Sequence, residues 1–259
     1  MSTPSFNILG IPISAHSRKE FYHEIEQKLA ESKPNSTPLF VVTVNPEIAT
    51  HNIYDGEFRH ILNQSQINTA DGIGISWAVK YIYKQQVERI TGSDSLEEIC
   101  KLSANYKKSV FFYGAAPGVA SKAADILLGR IQNLTIAGTY SPNYSDMPFE
   151  SLPKSIQHSL SKASVVFVAL GAPAQEKWIY NNLKSLKNCR VIIGIGGSFD
   201  FIAGTVKRAP LAFRKTGTEW FYRLWLQPSR WRRMMKLPLF AINILLLRSD
   251  LQTQELHRK

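Results

Sequence analysis

The chain has 259 residues, 44% hydrophobic and 20% charged, which excludes wholesale disorder and suffices for one sizeable core. Its formal charge of +11 is uneven: residues 204–259 hold 12 Lys and Arg against 3 acids, whereas residues 1–203 carry a net charge of only +2. The most apolar part of that basic tail, Leu237–Leu247, is eleven residues, short of the roughly 20 that span a bilayer.

In chain order, Phe6–Ile13, with Gly10 and Pro12 inside it, reads as a short hairpin leading into a helix over Ser17–Glu31. Pro38–Val44 is an apolar run expected to form a buried strand, followed after Pro46 by a helix. Gln66–Thr69 is a short strand ending at Ala70-Asp71-Gly72, with a helix to about Tyr83. Ser109–Tyr113 is a strand that runs through Gly114-Ala-Ala-Pro-Gly118 into an Ala-rich helix ending near Ile131. Leu134–Gly138 is a further strand, and Ser164–Leu170 is another, ending at Gly171-Ala-Pro-Ala-Gln175 before a helix. Arg190–Ile195 closes the series at Gly196-Gly197-Ser198. Continuous apolar strands alternating with helices imply an α/β fold: a mainly parallel, Rossmann-like sheet flanked by helices, with a basic helical appendage at the C-terminus. In such sheets the ligand crevice lies beyond the carboxyl ends of the strands. Asn45, Asp71, Gly114, Gly171 and Gly196 all fall at such ends and are expected on one rim. The division expected is a catalytic body over 1–203 and a basic, amphipathic appendage over 204–259.

Cys100 and Cys189 show no ligand spacing and are expected as buried, reduced thiols. The first residues lack a basic segment followed by a long apolar one, so no secretory signal is read and a cytoplasmic location is expected. The six histidines are scattered and no Asp-x-Asp occurs, so neither a metal nor another cofactor is expected. Neither G-x-G-x-x-G nor G-x-x-x-x-G-K-[ST] is present, which lowers nicotinamide and ATP readings.

Gly114–Gly118 and Gly171–Gln175 suit backbone N–H groups approaching a phosphate, or simply the backbone geometry of a strand-to-helix turn. Asp71 reads equally as a helix N-cap or as a rim carboxylate able to take a proton from a sugar hydroxyl. Arg89 is either a surface ion-pairing residue or a guanidinium placed for a diphosphate. In the tail, Gly204–Lys236 carries nine basic residues and one acid, interleaved with Trp220, Phe221, Tyr222, Trp225 and Trp231. Basic residues with Trp and Leu are the composition of a helix lying in a membrane interface, or of one packing its aromatic face on the body. A nucleic-acid tail would be as basic but would not need the aliphatic run, so no nucleic acid is expected.

Taken together, several stretches resemble the WecG/TagA/CpsF glycosyltransferases (glycosyltransferase family 26). They are Thr43-Val-Asn-Pro-Glu47, Ala70-Asp-Gly-Ile-Gly74, Glu88-Arg89-Ile-Thr-Gly-Ser-Asp94, Gly114–Gly118, Leu170–Glu176, Gly194-Ile-Gly-Gly-Ser-Phe-Asp200 and Gly204-Thr-Val-Lys-Arg-Ala-Pro210. Glu219-Trp220, Tyr222-Arg223-Leu224 and Gln227-Pro-Ser-Arg230 follow in order, so the resemblance covers nearly the whole chain. It implies an inverting, metal-independent transfer from a UDP-sugar donor to a polyprenyl-diphosphate-linked GlcNAc-type acceptor, in cell-wall or surface-polysaccharide assembly. N-acetylmannosamine is the favoured sugar; glucose and N-acetylmannosaminuronate are the alternatives within the family. Outside it stand another nucleotide-dependent α/β enzyme and a non-enzymatic membrane- or nucleic-acid-binding adaptor.

By position, the resemblance makes Asp71 the general base, with Thr43 and Asn45 beside it and Arg89 and Gln175 contacting donor or acceptor. Gly114, Gly118, Gly171, Gly196 and Gly197 would complete the substrate-binding loops. Arg223, Arg230 and Arg233 would close over the diphosphates. Ala174 stands where members often have Lys, which removes one positive charge from that loop. A peripheral location on the anionic inner face of the cell membrane is implied, with dimerisation or membrane contact ordering the tail.

Overall fold

The computed structural model describes residues 4–31, 37–145, 147–226, 228 and 231–257, with side chains throughout except at 215, 223, 232 and 250–257. The chain opens with an antiparallel hairpin, β1 (Ser5–Ile8) and β2 (Ile11–Ser14). Leu9 and Gly10 both take positive φ at its tip, the requirement of a two-residue turn matched to strand twist. Helix α1 (Arg18–Ala30) starts with a complete capping box between Ser17 and Glu20.

Six parallel strands follow, and helices connect them: β3 (Leu39–Val44), α2 (Pro46–Tyr54), α3 (Gly56–Gln64), β4 (Ile67–Ala70), α4 (Ile73–Tyr83), α5 (Gly92–Asn105), β5 (Ser109–Gly114), α6 (Val119–Arg130), β6 (Thr135–Tyr140), α7 (Lys154–Lys162), β7 (Val165–Ala169), α8 (Ala174–Asn182), β8 (Val191–Gly194) and α9 (Ser198–Ile202). The order across the sheet is β4-β3-β8-β7-β5-β6, every pair parallel. This is the expected α/β architecture. Strands β3, β7 and β8 are buried along their whole length, as their unbroken apolar runs require.

Each sheet face carries its own core. Helices α2, α3, α4, α7 and α8 cover one, through residues such as Ile48, Phe58, Val79, Leu160 and Trp178. Helices α1, α5, α6 and α9 cover the other, through Phe21, Leu96, Leu127 and Phe199. Consequently β3 leaves its carboxyl end toward one face and its neighbour β8 toward the opposite face. A crevice opens between them.

The tail continues as α10 (Leu211–Thr216), α11 (Glu219–Leu226), α12 (Trp231–Met234) and α13 (Lys236–His257). Helix α13 lies along α2 and α4, burying Phe240 and Ile244 in the first core. Farther along it, the Arg248 guanidinium stands 4.2 Å from the Tyr81 ring centre. Leu237–Leu247 is thus divided: Phe240 is 2% and Ile244 0% exposed, while Ile242 is 53% and Leu246 58% exposed. No helix among the described residues is long and apolar enough to cross a membrane. Cys100 and Cys189 are buried and free, and burial pushes the Cys189 thiol up to about 12.

Candidate active site

The crevice widens into a cavity of about 760 Å³, within the roughly 300–1,000 Å³ of small-molecule sites. Four strand ends supply its floor and the tail supplies a wall. From β3 and the start of α2 come Thr43, Asn45 and Glu47; from the end of β4, Asp71 and Gly72; from the β7 loop, Gly171 and Gln175; from the β8 loop, Gly196, Gly197 and Ser198. Arg89, Arg208, Trp220, Arg233 and Phe240 close the sides.

Local chemistry explains each position. Thr43 Oγ1 donates to the Gly194 carbonyl at 2.9 Å and so ties β3 to β8 at the crevice. Asn45 caps α2, its Oδ1 accepting from the Ile48 N–H at 3.0 Å, with Pro46 in the first turn. Asp71 follows β4 directly and its own N–H donates to the Val44 carbonyl at 2.7 Å. The N-cap of α4 is Gly72, at φ +94, so Asp71 stands one residue ahead of the cap and on the cavity wall. The N-cap reading of Asp71 is thereby corrected. Arg89 forms a parallel bridge with Ala70, and its Nη2 donates to the Arg214 carbonyl at 2.9 Å, joining the body to α10.

Two ion pairs shape the electrostatics. Arg233 grips Glu47 through Nε (3.1 Å to each oxygen) and Nη2 (2.7 Å), and Lys236 lies 3.4 Å from the same carboxylate. Burial raises the Glu47 pKa, but these two cations outweigh it and hold the carboxyl below its ordinary range. Arg208 Nη2 meets Asp94 Oδ1 at 2.5 Å. There too burial opposes ionisation, and the guanidinium outweighs it. Gln175 is buried, accepts the Gly196 N–H on Oε1 at 3.0 Å and donates from Nε2 to Glu176 at 2.7 Å.

The structure brings Thr43, Asn45, Asp71, Arg89, Gly171, Gln175, Gly196, Gly197 and Arg233 onto one cavity. It does not bring Gly114 or Gly118 there. Strand β5 lies on the far side of β7 from the crevice, and its chain leaves toward α6. A Cβ on Gly114 would sit 2.6 Å from the Ala169 carbonyl oxygen, and φ is +105, so this glycine serves strand packing. Gly118, at φ +82, is the N-cap of α6. The expected five-loop rim is therefore a four-loop rim. Arg230 and the side chain of Arg223 lie outside the described residues.

Motif spacing assigns no role to two contributors, Arg208 within Gly204–Pro210 and Glu47 within Thr43–Glu47. Only the fold shows that each meets an opposite charge distant in sequence, Asp94 and Arg233 respectively.

A doubly covered parallel sheet, with four carboxylates (Glu47, Asp71, Asp200 and Glu219) and three guanidiniums around a switch-point cavity, is a frame able to hold a small polar molecule. The comparisons make this specific: the Glycosyl transferase WecG/TagA/CpsF family matches residues 6–254, and the chain belongs to that family. It is 36% identical over 238 residues to the N-acetylglucosaminyldiphosphoundecaprenol N-acetyl-beta-D-mannosaminyltransferase of Bacillus subtilis (strain 168), covering 92% of this chain and 90% of that one. The enzyme of the same name from Bacillus spizizenii is 37% identical over 206 residues, covering 80% and 78%. That from Staphylococcus aureus (strain MRSA252) is 31% identical over 243 residues, covering 94% and 93%.

Proposed function

We propose that this chain transfers N-acetylmannosamine from a UDP-linked donor to a GlcNAc-diphosphoundecaprenol acceptor, with inversion, in cell-wall polymer synthesis. The observation that carries the reading is Asp71 set on the same cavity as Arg89, Arg208 and Arg233. The relatives' names specify a β product. From an α-linked nucleotide sugar, a single displacement at the anomeric carbon gives that outcome. Asp71 takes the proton of the acceptor hydroxyl as its oxygen bonds to that carbon, and the bond to UDP breaks. The departing diphosphate gains negative charge as the bond lengthens. Fixed guanidiniums offset it without a divalent ion, because each carries five N–H donors and an ion-paired Arg retains others for phosphate oxygens. Thr43 and Asn45 set the wall beside Asp71, and the Gly171 and Gly196–Gly197 loops let backbone come close to the donor.

The segment 204–259 forms the membrane-facing part in this reading, docking the protein on the anionic inner leaflet where the acceptor lipid resides. Its support is composition and exposure together: Trp225 is 74% exposed, with Trp231, Met235, Ile242 and Leu246 also outward, in a segment of net charge +9.

The test is UDP release from a panel of UDP-sugars, with and without a lipid-diphosphate-GlcNAc acceptor, in EDTA. Acceptor-dependent release from UDP-N-acetylmannosamine is expected. Release from UDP-glucose alone would change the sugar, and dependence on a divalent ion would sink the charge argument. Asp71→Asn is expected to lower turnover by about 10²- to 10⁴-fold while leaving donor binding within a few-fold, the signature of a lost base.

A further inference from the structure

The Gly196–Gly197 loop is held from behind by a short relay of side chains that ends in a buried carboxyl. Gln175 Oε1 accepts the Gly196 N–H, which leaves Nε2 needing an acceptor, and Glu176 Oε1 supplies it at 2.7 Å. Gly194 makes room for both side chains: a Cβ there would lie 2.7 Å from Gln175 Nε2 and 3.2 Å from Glu176 Oε1. Since Thr43 bonds the Gly194 carbonyl, the relay joins the ends of β3, β7 and β8 around the cavity. Glu176 is fully buried, and its Oε2 has no hydrogen-bond partner among the described residues.

The charges around Glu176 do not favour an anion. On its own helix, Lys177 turns to Asp55 (3.0 Å) and Glu57 (2.8 Å) at the entrance to α3. From α3, His60 meets the Tyr180 hydroxyl instead. Across the sheet end, Gly194 and Gln175 are neutral. From α2 the charge that reaches Glu176 is that of Glu47, and it is negative. An ionised Glu176 would therefore be a dry carboxylate with two neutral N–H donors, the Gln175 amide and its own backbone, and a like charge nearby. Burial, partly offset by the hydrogen bonds from Gln175 and from its own backbone N–H, raises its pKa to about 7, with Glu47 acting in the same direction as burial.

We propose that Glu176 is a positioning residue that works as the neutral acid, fixing the Gln175 carboxamide and through it the Gly196–Gly197 loop. Ionisation would strengthen the pull of the carboxylate on Gln175 Nε2 and draw water to the dry anion, and either shifts the carboxamide and with it the Gly196 N–H that Oε1 accepts. The inference rests on the transferase reading only for its activity readout. It also gives Gln175 a role beyond substrate contact, since both ends of its carboxamide are already engaged within the protein.

Two measurements on the full chain test it. In the ligand-free protein, the Gly196 amide resonance is expected to shift with a midpoint near pH 7, and in Glu176→Gln that shift should vanish. In the transfer assay, wild-type turnover is expected to fall several-fold by about pH 8.5, while Glu176→Gln keeps the neutral-pH rate within about twofold and loses that alkaline limb. Glu176→Ala, which removes the acceptor for Gln175, should be slower at every pH. A Gly196 resonance indifferent to pH, or a Glu176→Gln profile that superimposes on wild type, overturns the proposal. Were the wild type inactive on every donor, the Gly196 titration would still decide the relay, so the two readings fail separately.

Discussion

Glu47 on the cavity wall, Asp94 in the neighbouring cleft and Glu176 buried behind the Gly196 loop illustrate how environment assigns different work to one functional group. Glu47 and Asp94 are paired with guanidiniums and held below the ordinary range, while Glu176 meets no cation among the described residues and burial raises it to about 7. Their contributions to stability run oppositely with pH. For Glu47 and Asp94 the stabilisation is present above the unfolded-state pKa and is lost as pH falls through the folded one. For Glu176 it is fully present below pH 4.5, its ordinary value, and is lost as pH rises through about 7. A shift of that size corresponds to roughly 3 kcal/mol. Comparing wild type with Glu176→Gln isolates this window, because the other carboxylates are common to both. Urea midpoints are expected to favour wild type progressively less between about pH 5 and about pH 8. Parallel pH dependences would show that Glu176 titrates alike in the folded and unfolded chains. Roles of this kind are hard to read from sequence: Glu47, Arg233, Asp94 and Arg208 each appear as isolated charges until long-range contacts pair them. Asp71 is legible as a rim residue because Gly72 and the strand before it mark the strand end, and the observed start of α4 puts the N-cap at Gly72.

At the level of elements, the strands were the most legible part, since β3, β7 and β8 are buried runs bounded by Gly or Pro. Helix α5 follows no apolar strand run that would announce it, although its own signals are present. Thr91 caps it by accepting from the Asp94 N–H, and Leu96, Ile99, Cys100 and Ser103 recur at helical spacing on its buried side. A glycine-rich turn after a strand looks alike at every strand, so the Gly114 loop reads as part of the rim; sheet order, which sequence does not encode locally, separates β5 from the crevice. Helix α13 was ambiguous between packing and interface for a physical reason. Phe240 and Ile244 share one face at a spacing of four, Ile242 and Leu246 share another, and both faces are apolar. Substituting one residue from each separates the roles. Ile244→Ala is expected to cost about 2–5 kcal/mol of folding stability through lost packing. Leu246→Ala should stay within about 0.5 kcal/mol, as an exposed position. Equal losses would mean that α13 packs differently on α2 and α4.

On the scale of the whole molecule, charge and burial divide the chain in different places. Charge changes near residue 204, yet Phe240 and Ile244 belong to the core of the body, so the basic segment is anchored by packing as well as carrying the cations. Under the proposed membrane docking, that arrangement leaves the outward face of the segment available for lipid rather than spent on folding. Basic side chains near an anionic leaflet contribute about 1 kcal/mol each and are screened by salt, whereas buried Trp and Leu surface is not. Sedimentation with vesicles separates the two contributions. Binding is expected to anionic vesicles and to be much weaker to zwitterionic ones. Raising salt to about 0.5 M should weaken it without abolishing it, and Trp225→Ser with Leu246→Ser should remove most of the salt-resistant part. If salt alone abolishes binding, the cations act without apolar insertion, and a polyanion such as nucleic acid becomes the better partner for the tail. If the double variant binds as wild type does, the outward faces of α11 and α13 serve another contact, and the membrane assignment of the appendage falls.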